Sequence, residues 1–375
     1  MRNEVLIVLS RPASHCGGGN AKRLVNTNDG AGGRAAACDC SADGRSNWCC
    51  RRRLVSASGN SSAPGPGAAF GFRAVLSAAF ARGGVRVVQP GIETFNSHVL
   101  RLMNKGVRAM HNVYALCTLM RHGVYPAYNL IFGFPGEAEA PDEFHAMLRL
   151  LPSLSHLVPP DALMPVLTPR YAPISEMPQR YGAAAPLTGH WRYDVVFSSS
   201  FLQQHRLGTE DFCYYFDNPY RDFDDRTAVM YGLFQHQYVA WMRKYKRGTI
   251  ELSFRDDGEC MLVSDNRFDD CETVLKFGAI HCRVRDQLLQ RCWSEKVLID
   301  AMAAEAGASQ CEIRDVLDEF RAARLLAEEE GWIVWLPLPK ICYETPSWRA
   351  RVLKGCVMRN HSVRPSSAWR PRTGV

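Results

Sequence analysis

Two segments of the chain combine glycine with acidic and amide side chains at a spacing suited to holding a small ligand. The first reads Val88-Gln89-Pro90-Gly91-Ile92-Glu93, and the second reads Asn129-Leu130-Ile131-Phe132-Gly133-Phe134-Pro135-Gly136-Glu137. Glycine lets the backbone approach a ligand closely, and Gln89 and Glu93 have the groups to hydrogen-bond sugar hydroxyls or an amine. Taken singly, each segment is equally consistent with an ordinary turn between a strand and a helix.

The elements around these segments alternate between helix and strand. The patterns predict helices over residues 74–82, 97–103, 109–122 and 139–151, and strands over 85–88, 125–132 and 163–167. This alternation is typical of βαβ units with a parallel sheet. Such sheets bind ligands at the carboxyl ends of their strands, where both segments lie. Three strands make an open fragment with an unpaired edge and not a closed barrel.

After residue 190 the pattern changes. Strands are predicted over 193–197, 250–254 and 260–263, the last two joined by a turn at residues 256–258. A long helix over 227–246 places aromatic residues on one face, as core packing requires. Three further helices (284–293, 296–305 and 310–323) and a hairpin over 325–338 predict a winged-helix-like unit.

The third helix of this unit is acidic. It carries Glu312, Asp315, Asp318 and Glu319, and such a surface repels phosphate. The pattern therefore favours contact with a peptide or another domain over nucleic acid.

The two flanks of the chain carry its positive charge. Residues 1–72 hold nine Lys/Arg and four Asp/Glu, residues 340–375 hold eight Lys/Arg and one Glu, and the middle has a net charge of −5. The composition predicts disorder for 1–71 and for the basic tail 340–375, with solvated ends and not a nucleic-acid face. No apolar run approaches the ~20 residues of a membrane span, and the first residues lack a signal-peptide pattern. We therefore expect a cytoplasmic protein without membrane contact.

Taken together, the motifs resemble a known enzyme family. The strand end at residues 89–93, the helix end Leu100-Arg101-Leu102-Met103-Asn104-Lys105-Gly106 and the strand end at 129–137 are similar to the fourth and fifth strands of a radical S-adenosylmethionine (SAM) barrel. The resemblance is closest to the cobalamin-dependent radical SAM maturases of ribosomally synthesised peptides (RiPPs). It continues through residues 156–160, 168–173, 211–216 and 335–339, and covers about 265 of the 375 residues.

The resemblance implies an α/β fold. A partial radical SAM (TIM-like) barrel fragment would occupy residues 72–190, and an α+β C-terminal domain ending in the winged-helix-like unit would occupy 191–339. The resemblance further implies that Gln89 and Glu93 lie near the ribose or methionine part of SAM, while Asn129, Ile131 and Gly133 flank its adenine. In such enzymes a [4Fe–4S] cluster cleaves SAM to a radical that attacks a precursor peptide, and cobalamin can supply a methyl group.

The sequence departs from this family at the loop that holds the cluster. The family uses three cysteines spaced C-x3-C-x2-C, and the cysteines before residue 72 do not have that spacing: Cys16, Cys38, Cys40, Cys49 and Cys50. The C-x-C and C-C pairs among them also match structural zinc sites poorly. A cobalamin domain and three barrel strands do not fit before Phe72. We therefore expect a truncated or frameshifted product that binds neither cluster nor cobalamin, is inactive alone, and has no catalytic or metal-binding residue.

A second hypothesis needs no catalysis. The region over 193–339 would hold a precursor peptide or a partner protein, through its winged-helix-like end. No His, Ser or Cys constellation in the sequence indicates acid–base or nucleophilic catalysis, so these two hypotheses are the ones that the sequence supports.

Overall fold

The computed structural model describes residues 74–183, 186–193, 195–220, 225–268, 272–306 and 308–344, and the backbone of four short strands nearer the amino terminus. These strands are β1 (Val5–Val8), β2 (Leu24–Val25), β3 (Arg34–Ala37) and β4 (Arg53–Ser56). β1 pairs antiparallel with β2, and β3 with β4. Pairings of two to four residues leave no periodic signal in a sequence, so none of these four strands was expected. The predicted disorder in the rest of 1–71 and in 345–375 lies outside the described residues.

The next part of the chain alternates between helices and strands. Its elements are α1 (Ala74–Arg82), β5 (Val87–Pro90), α2 (Ser97–Leu102), α3 (Ala109–Arg121), β6 (Tyr125–Pro126), β7 (Asn129–Phe132), α4 (Pro141–Leu150) and β8 (Ala162–Pro165). β6 lies parallel to β5, and β8 lies parallel to β7. The fold is mixed α/β, with small sheets and no closed barrel among the described residues.

The strand predicted over 125–132 is interrupted. It forms two short strands with different partners: β6 pairs with β5, and β7 pairs with β8. The predicted strand over 85–88 begins two residues later, at Val87. Helix α3 is buried on most sides since it packs between the parallel strands and the C-terminal hairpin.

The middle segment contains α5 (Pro173–Glu176), α6 (Ser199–His205), α7 (Thr209–Phe212) and α8 (Asp225–Arg247). The strand predicted over 193–197 is wrong, because the structure has a turn of 3₁₀ helix at Trp191–Tyr193. Val195 and Val196 are exposed there, so β-branched residues alone did not make a strand without a partner. The aromatic face predicted for the long helix is confirmed: α8 buries Tyr231, Phe234, Trp241 and Tyr245.

The last part of the chain contains two sheets and three longer helices. Its elements are β9 (Leu252–Asp257), β10 (Cys260–Asp265), β11 (Thr273–Phe277), α9 (Ala279–Gln290), β12 (Trp293–Ser294), α10 (Glu295–Ala306), α11 (Gln310–Ala322), β13 (Leu326–Glu329), β14 (Trp332–Trp335), β15 (Leu338–Pro339) and α12 (Ile341–Glu344). One sheet has the order β11-β10-β9-β15, and the other β12-β14-β13. The turn predicted over 256–258 lies at Gly258 and Glu259 instead, because Asp256 and Asp257 belong to β9 and pair with Met261 and Cys260; Gly258 has φ 67°.

Order extends past the predicted boundary at residue 339. In α12, the Tyr343 hydroxyl donates to Leu252 O over 3.1 Å, and the Lys340 ammonium lies 2.5 Å from the Glu251 carboxylate. Residues 340–344 are therefore part of the fold and not of a disordered tail.

Candidate functional site

The carboxyl ends of β5, β7 and β8 meet at one edge of the molecule. Beyond β5, Glu93 forms an isolated parallel bridge with Leu130 in β7, and the Ile131 N–H donates to Glu93 O over 2.8 Å. β7 continues to β8 in register, with Ile131 opposite Met164. We call this edge the strand-edge site and define it by Gln89, Glu93, Asn129, Ile131 and Gly133.

The structure links Glu93 directly to β7, the strand that begins at Asn129 and ends just before Gly133. Glu93 lies beside Ile131, and Asn129 and Gly133 stand two residues to either side of Ile131. Gln89 is exposed and lies four residues before Glu93, nearer the middle of the strand. Since strand side chains alternate, Asn129 and Ile131 share the face opposite to fully buried Leu130. Neither Gln89 nor Asn129 makes a side-chain hydrogen bond to another described residue.

Glu93 has a partner that the sequence analysis did not assign. Its carboxylate lies 3.4 Å from the Lys105 ammonium, whose side chain is only 5% exposed. Lys105 comes from the loop after α2, so the pair ties that loop to the end of β5. Glu93 also adopts φ 59°, a left-handed conformation that is uncommon for residues other than glycine.

The loop after β7 closes on a buried carboxylate, Glu137. Its Oε2 accepts hydrogen bonds from the Gly133 N–H at 2.8 Å, the Phe134 N–H at 3.3 Å and the Tyr231 hydroxyl at 3.0 Å. Gly133 and Gly136 have φ angles of 76° and 85°, which glycine adopts without strain. These glycines therefore shape the turn around Glu137, whereas the sequence pattern related them to ligand approach.

Burial raises the pKa of Glu137 to about 7, although the hydrogen bonds from Gly133 and Tyr231 oppose this rise. The second carboxylate oxygen, Oε1, is buried and has no partner among the described residues. His98 Nε2 lies 2.9 Å from Gly136 O and holds the same loop from α2. Sequence reasoning missed Glu137 as a functional group; the signal was an acid directly after the second glycine of the loop.

The chain beyond β8 makes backbone contacts with two later segments. Residues 168–170 bridge to residues 214–216, which in turn bridge to Gly189. Arg170 stabilises this arrangement by donating to Cys213 O over 2.6 Å. Next to it, Tyr171 is 79% exposed and adopts φ 68°.

A second concave feature lies between β11 and α11. It has a volume of about 500 Å³ and is lined by Asp265, Phe268, Thr273, Leu275 and Phe277 on the sheet side and by Glu319, Ala322, Ala323 and Arg324 on the helix side. We call it the β11–α11 groove. Among the described strands, β11 has a neighbour on one side only, so its outer edge offers backbone groups for pairing.

A buried arginine supports the floor of this groove. The side chain of Arg267 is fully buried and makes two 2.8–2.9 Å contacts with the Asp265 carboxylate. It also donates to Ser153 O and Arg324 O. The Arg324 guanidinium in turn lies 4.7 Å from the centre of the Phe268 ring. These contacts hold the ends of the sheet and of α11 at a fixed separation.

The hairpin between β13 and β14 docks on the first part of the molecule. Glu330 pairs with Arg101 at 3.4 Å and also with Arg108, and Ser97 donates to the Glu329 carboxylate. Trp332 packs against His111 with ring centres 5.0 Å apart. The hairpin tip is therefore occupied by an internal interface.

The described cysteines do not form a metal site. They occur singly, and no group of three His, Cys, Asp or Glu residues suited to a metal ion is found in the described part of the chain. Burial raises the pKa of the Cys117 and Cys342 thiols to about 11, so both stay protonated at neutral pH. The five cysteines before residue 72 lie outside the described residues.

Comparisons with known proteins give no match. No family model, no curated protein and no solved structure is significantly similar to this chain. Among the described residues, every helix is too short or too polar to cross a bilayer.

Proposed function

We propose that residues 72–190 bind SAM at the strand-edge site, as the SAM-binding half of a barrel related to radical SAM maturases of ribosomally synthesised peptides. The observation that supports this proposal is the link between Glu93, just after β5, and the parallel strand β7, which begins at Asn129, contains Ile131 and ends just before Gly133. An apolar Ile131 beside glycine suits a flat base, while the unengaged amides of Gln89 and Asn129 suit ribose hydroxyls and base nitrogens.

A [4Fe–4S] cluster does not fit the residues that the structure describes. Such a cluster needs three thiolates on one short loop, and the described cysteines are single and far apart in sequence. No step of a reaction is therefore routed through a cluster or through cobalamin. The proposed activity of this chain is binding of SAM without its cleavage.

Equilibrium dialysis with radiolabelled SAM tests this proposal. The Ile131→Asp variant should bind at least about tenfold more weakly, because it puts a charge against the base. Gln89→Ala should weaken binding by about three- to tenfold, the effect of one lost hydrogen bond. Gln310→Ala, a matched change at an exposed amide far along the chain, should leave binding unchanged. Absence of SAM binding, or equal binding by all variants, would contradict the proposal.

A separate assay addresses cleavage. The full chain is treated anaerobically with iron, sulfide and a reductant, and 5′-deoxyadenosine is measured by chromatography. We expect none above the protein-free control. A stoichiometric cluster that cleaves SAM would overturn the catalytic part of the proposal.

A second candidate function is capture of a precursor peptide in the β11–α11 groove. The element order α9-β12-α10-α11-β13-β14, with β12 paired to β14, supports a winged-helix-like unit. The specific observation in favour of a peptide is the open edge of β11 beside an apolar groove, because extended peptides bind by adding a strand to such an edge. The exposed acids of α11 disfavour nucleic acid.

Selection from a displayed library of random peptides tests the groove. Peptides enriched on the wild-type chain should lose at least about tenfold in affinity with Leu275→Asp, which places a charge in the apolar wall. Asp315→Lys, on an exposed part of α11 that does not line the groove, is the control. Equal binding of a peptide to both variants would show that the peptide binds outside the groove.

A further inference from the structure

The β11–α11 groove lies in an acidic part of the chain. Residues 252–344 contain 11 Lys/Arg and 19 Asp/Glu, a net charge of −8. The four residues that precede β11 include Asp269, Asp270 and Glu272 and no Lys or Arg. A surface of one sign attracts segments of the opposite sign and repels those of its own. The charge around the groove therefore favours a peptide with basic side chains.

Strand β11 presents different side chains to the groove and to the outside. Thr273, Leu275 and Phe277 line the groove, whereas Val274 and Lys276 belong to the opposite face of the strand and are exposed. In a strand added beside β11, each side chain faces the same way as the β11 side chain directly opposite it. Every second residue of the added strand therefore enters the groove, at the positions opposite Thr273, Leu275 and Phe277.

A carboxylate stands at one end of the groove. The Phe277 ring centre lies 5.1 Å from that of His281, and His281 Nε2 lies 2.9 Å from Glu319 Oε2. Glu319 lines the groove and its side chain is 60% exposed, so it stays open to a cation from a peptide. On the other face of β11, Lys276 repels a cation directly opposite it. Charge therefore selects the register, because a slip of one residue moves every side chain to the other face.

The middle of the groove has room for a large side chain. Ala322 and Ala323 line it on the helix side, between Glu319 at one end and Arg324 at the other, where the Arg324 guanidinium packs on the Phe268 ring. Their side chains are single methyl groups, which leave the space across from Leu275 open. Burial of an apolar side chain there contributes more to affinity than an exposed ion pair does. The ion pair instead decides which peptide binds, and in which register.

We propose that the β11–α11 groove selects a basic peptide segment, which adds a strand to β11 with a Lys or Arg opposite Phe277, beside Glu319, and a large apolar side chain opposite Leu275, beside Ala322. The basic and the apolar residue are then two positions apart in the peptide. This inference rests on the groove being a peptide site, and it names the chemistry that the site selects.

Sequencing of selected peptides gives the first test. A displayed library of random peptides is selected on the full chain, and the peptides whose binding is lost with Leu275→Asp are retained as groove binders. We expect these peptides to be enriched, relative to the unselected library, in Lys or Arg two positions from a large apolar residue. Asp and Glu should be depleted at the same position.

A charge exchange gives the second test. One enriched peptide is synthesised with a fluorescein label in two forms, with its basic residue and with Glu in its place, and fluorescence anisotropy measures affinity. Glu319→Lys should weaken binding of the basic form about three- to tenfold and strengthen binding of the Glu form by a similar factor, because the ion pair is exposed and screened. Ala322→Phe should weaken binding of both forms at least about tenfold, because it fills the middle of the groove.

Asp315→Lys is the matched control, because it makes the same charge change on the same helix outside the groove. It should change the affinity of either form less than about twofold, and circular dichroism checks that each variant is folded. Groove binders without basic enrichment, or equal responses of the two forms to Glu319→Lys, overturn the inference and leave the proposed peptide function standing. If no selected peptide is lost with Leu275→Asp, the peptide function fails and the inference fails with it.

Discussion

The strand-edge site and the β11–α11 groove are built on different physical principles. At the strand edge, a buried carboxylate organises a glycine-containing loop, and nearby amide side chains stay free of internal hydrogen bonds. In the groove, a buried guanidinium fixes the floor, and the lining is mainly apolar beside an unpaired strand edge. The first arrangement suits a small polar ligand, because separate side chains can each hydrogen-bond one of its polar groups. The second suits a chain segment that brings its own backbone hydrogen bonds.

The largest expected effect on stability concerns Arg267, which supports the floor of the β11–α11 groove. Arg267→Ala leaves the Asp265 carboxylate, which is only 13% exposed, and two backbone carbonyls without their partner. Breaking a buried ion pair on one side costs about 3–5 kcal/mol. We expect the free energy of unfolding to fall by about that amount in urea denaturation. Arg255→Ala, which removes an exposed arginine from β9, should cost less than about 0.5 kcal/mol. Similar losses for both variants would refute the role of Arg267 as a central support.

The next largest effect concerns the loop after β7, which closes on Glu137. Glu137→Ala removes the acceptor of the Gly133, Phe134 and Tyr231 donors. At pH 6 we expect a loss of about 3 kcal/mol in unfolding free energy, since each unsatisfied buried donor costs about 1–3 kcal/mol and water can reach part of the loop. Glu139→Ala changes an exposed acid of the same loop and serves as the control. A loss below about 1 kcal/mol would mean that the loop does not depend on Glu137.

The same carboxylate makes stability depend on pH. The pKa of Glu137 is raised to about 7 in the folded state from 4.5 in the unfolded chain. Between these values the folded state binds more protons than the unfolded state, so stability decreases as pH rises. The expected decrease from pH 4.5 to 7 is about 2–3 kcal/mol, measured by urea denaturation at several pH values. Glu137→Gln should flatten this part of the profile; an unchanged slope in the variant would assign the effect to other groups.

The smallest expected effect concerns the contact between the β13–β14 hairpin and the first part of the molecule. Glu330→Ala removes the pairs with Arg101 and Arg108. Because these side chains are 40–48% exposed, water screens the attraction, and the loss should stay below about 1 kcal/mol. Thermal unfolding followed by circular dichroism measures it. A loss above about 2 kcal/mol would show that the hairpin tip contributes much more to the interface than exposed ion pairs do.

Local sequence signals predicted the helices well and the short strands less well. The helices at Ala74–Arg82 and Gln310–Ala322 match their predicted bounds within a residue, because apolar periodicity and caps are local properties. The helix predicted over 284–293 begins at Ala279 instead, after Gly278. The strand predicted over 193–197 failed because its valines have no neighbouring strand in the part of the chain that the structure describes. Strand formation depends on a partner, which local composition does not specify.

The candidate site likewise has features that the local sequence determines and features that only the tertiary structure determines. The sequence by itself determined which segments follow the strands and where glycine turns occur, at Gly133, Gly136 and Gly258, because these depend on the local backbone. Only the tertiary structure decided the partners of the buried polar groups. Tyr231 meets Glu137 across 94 residues, and Ser153 meets Arg267 across 114. The groove likewise exists only because β11 packs beside α11. Such contacts arise when distant elements bury their apolar faces against each other, and no spacing of residues along one element encodes them.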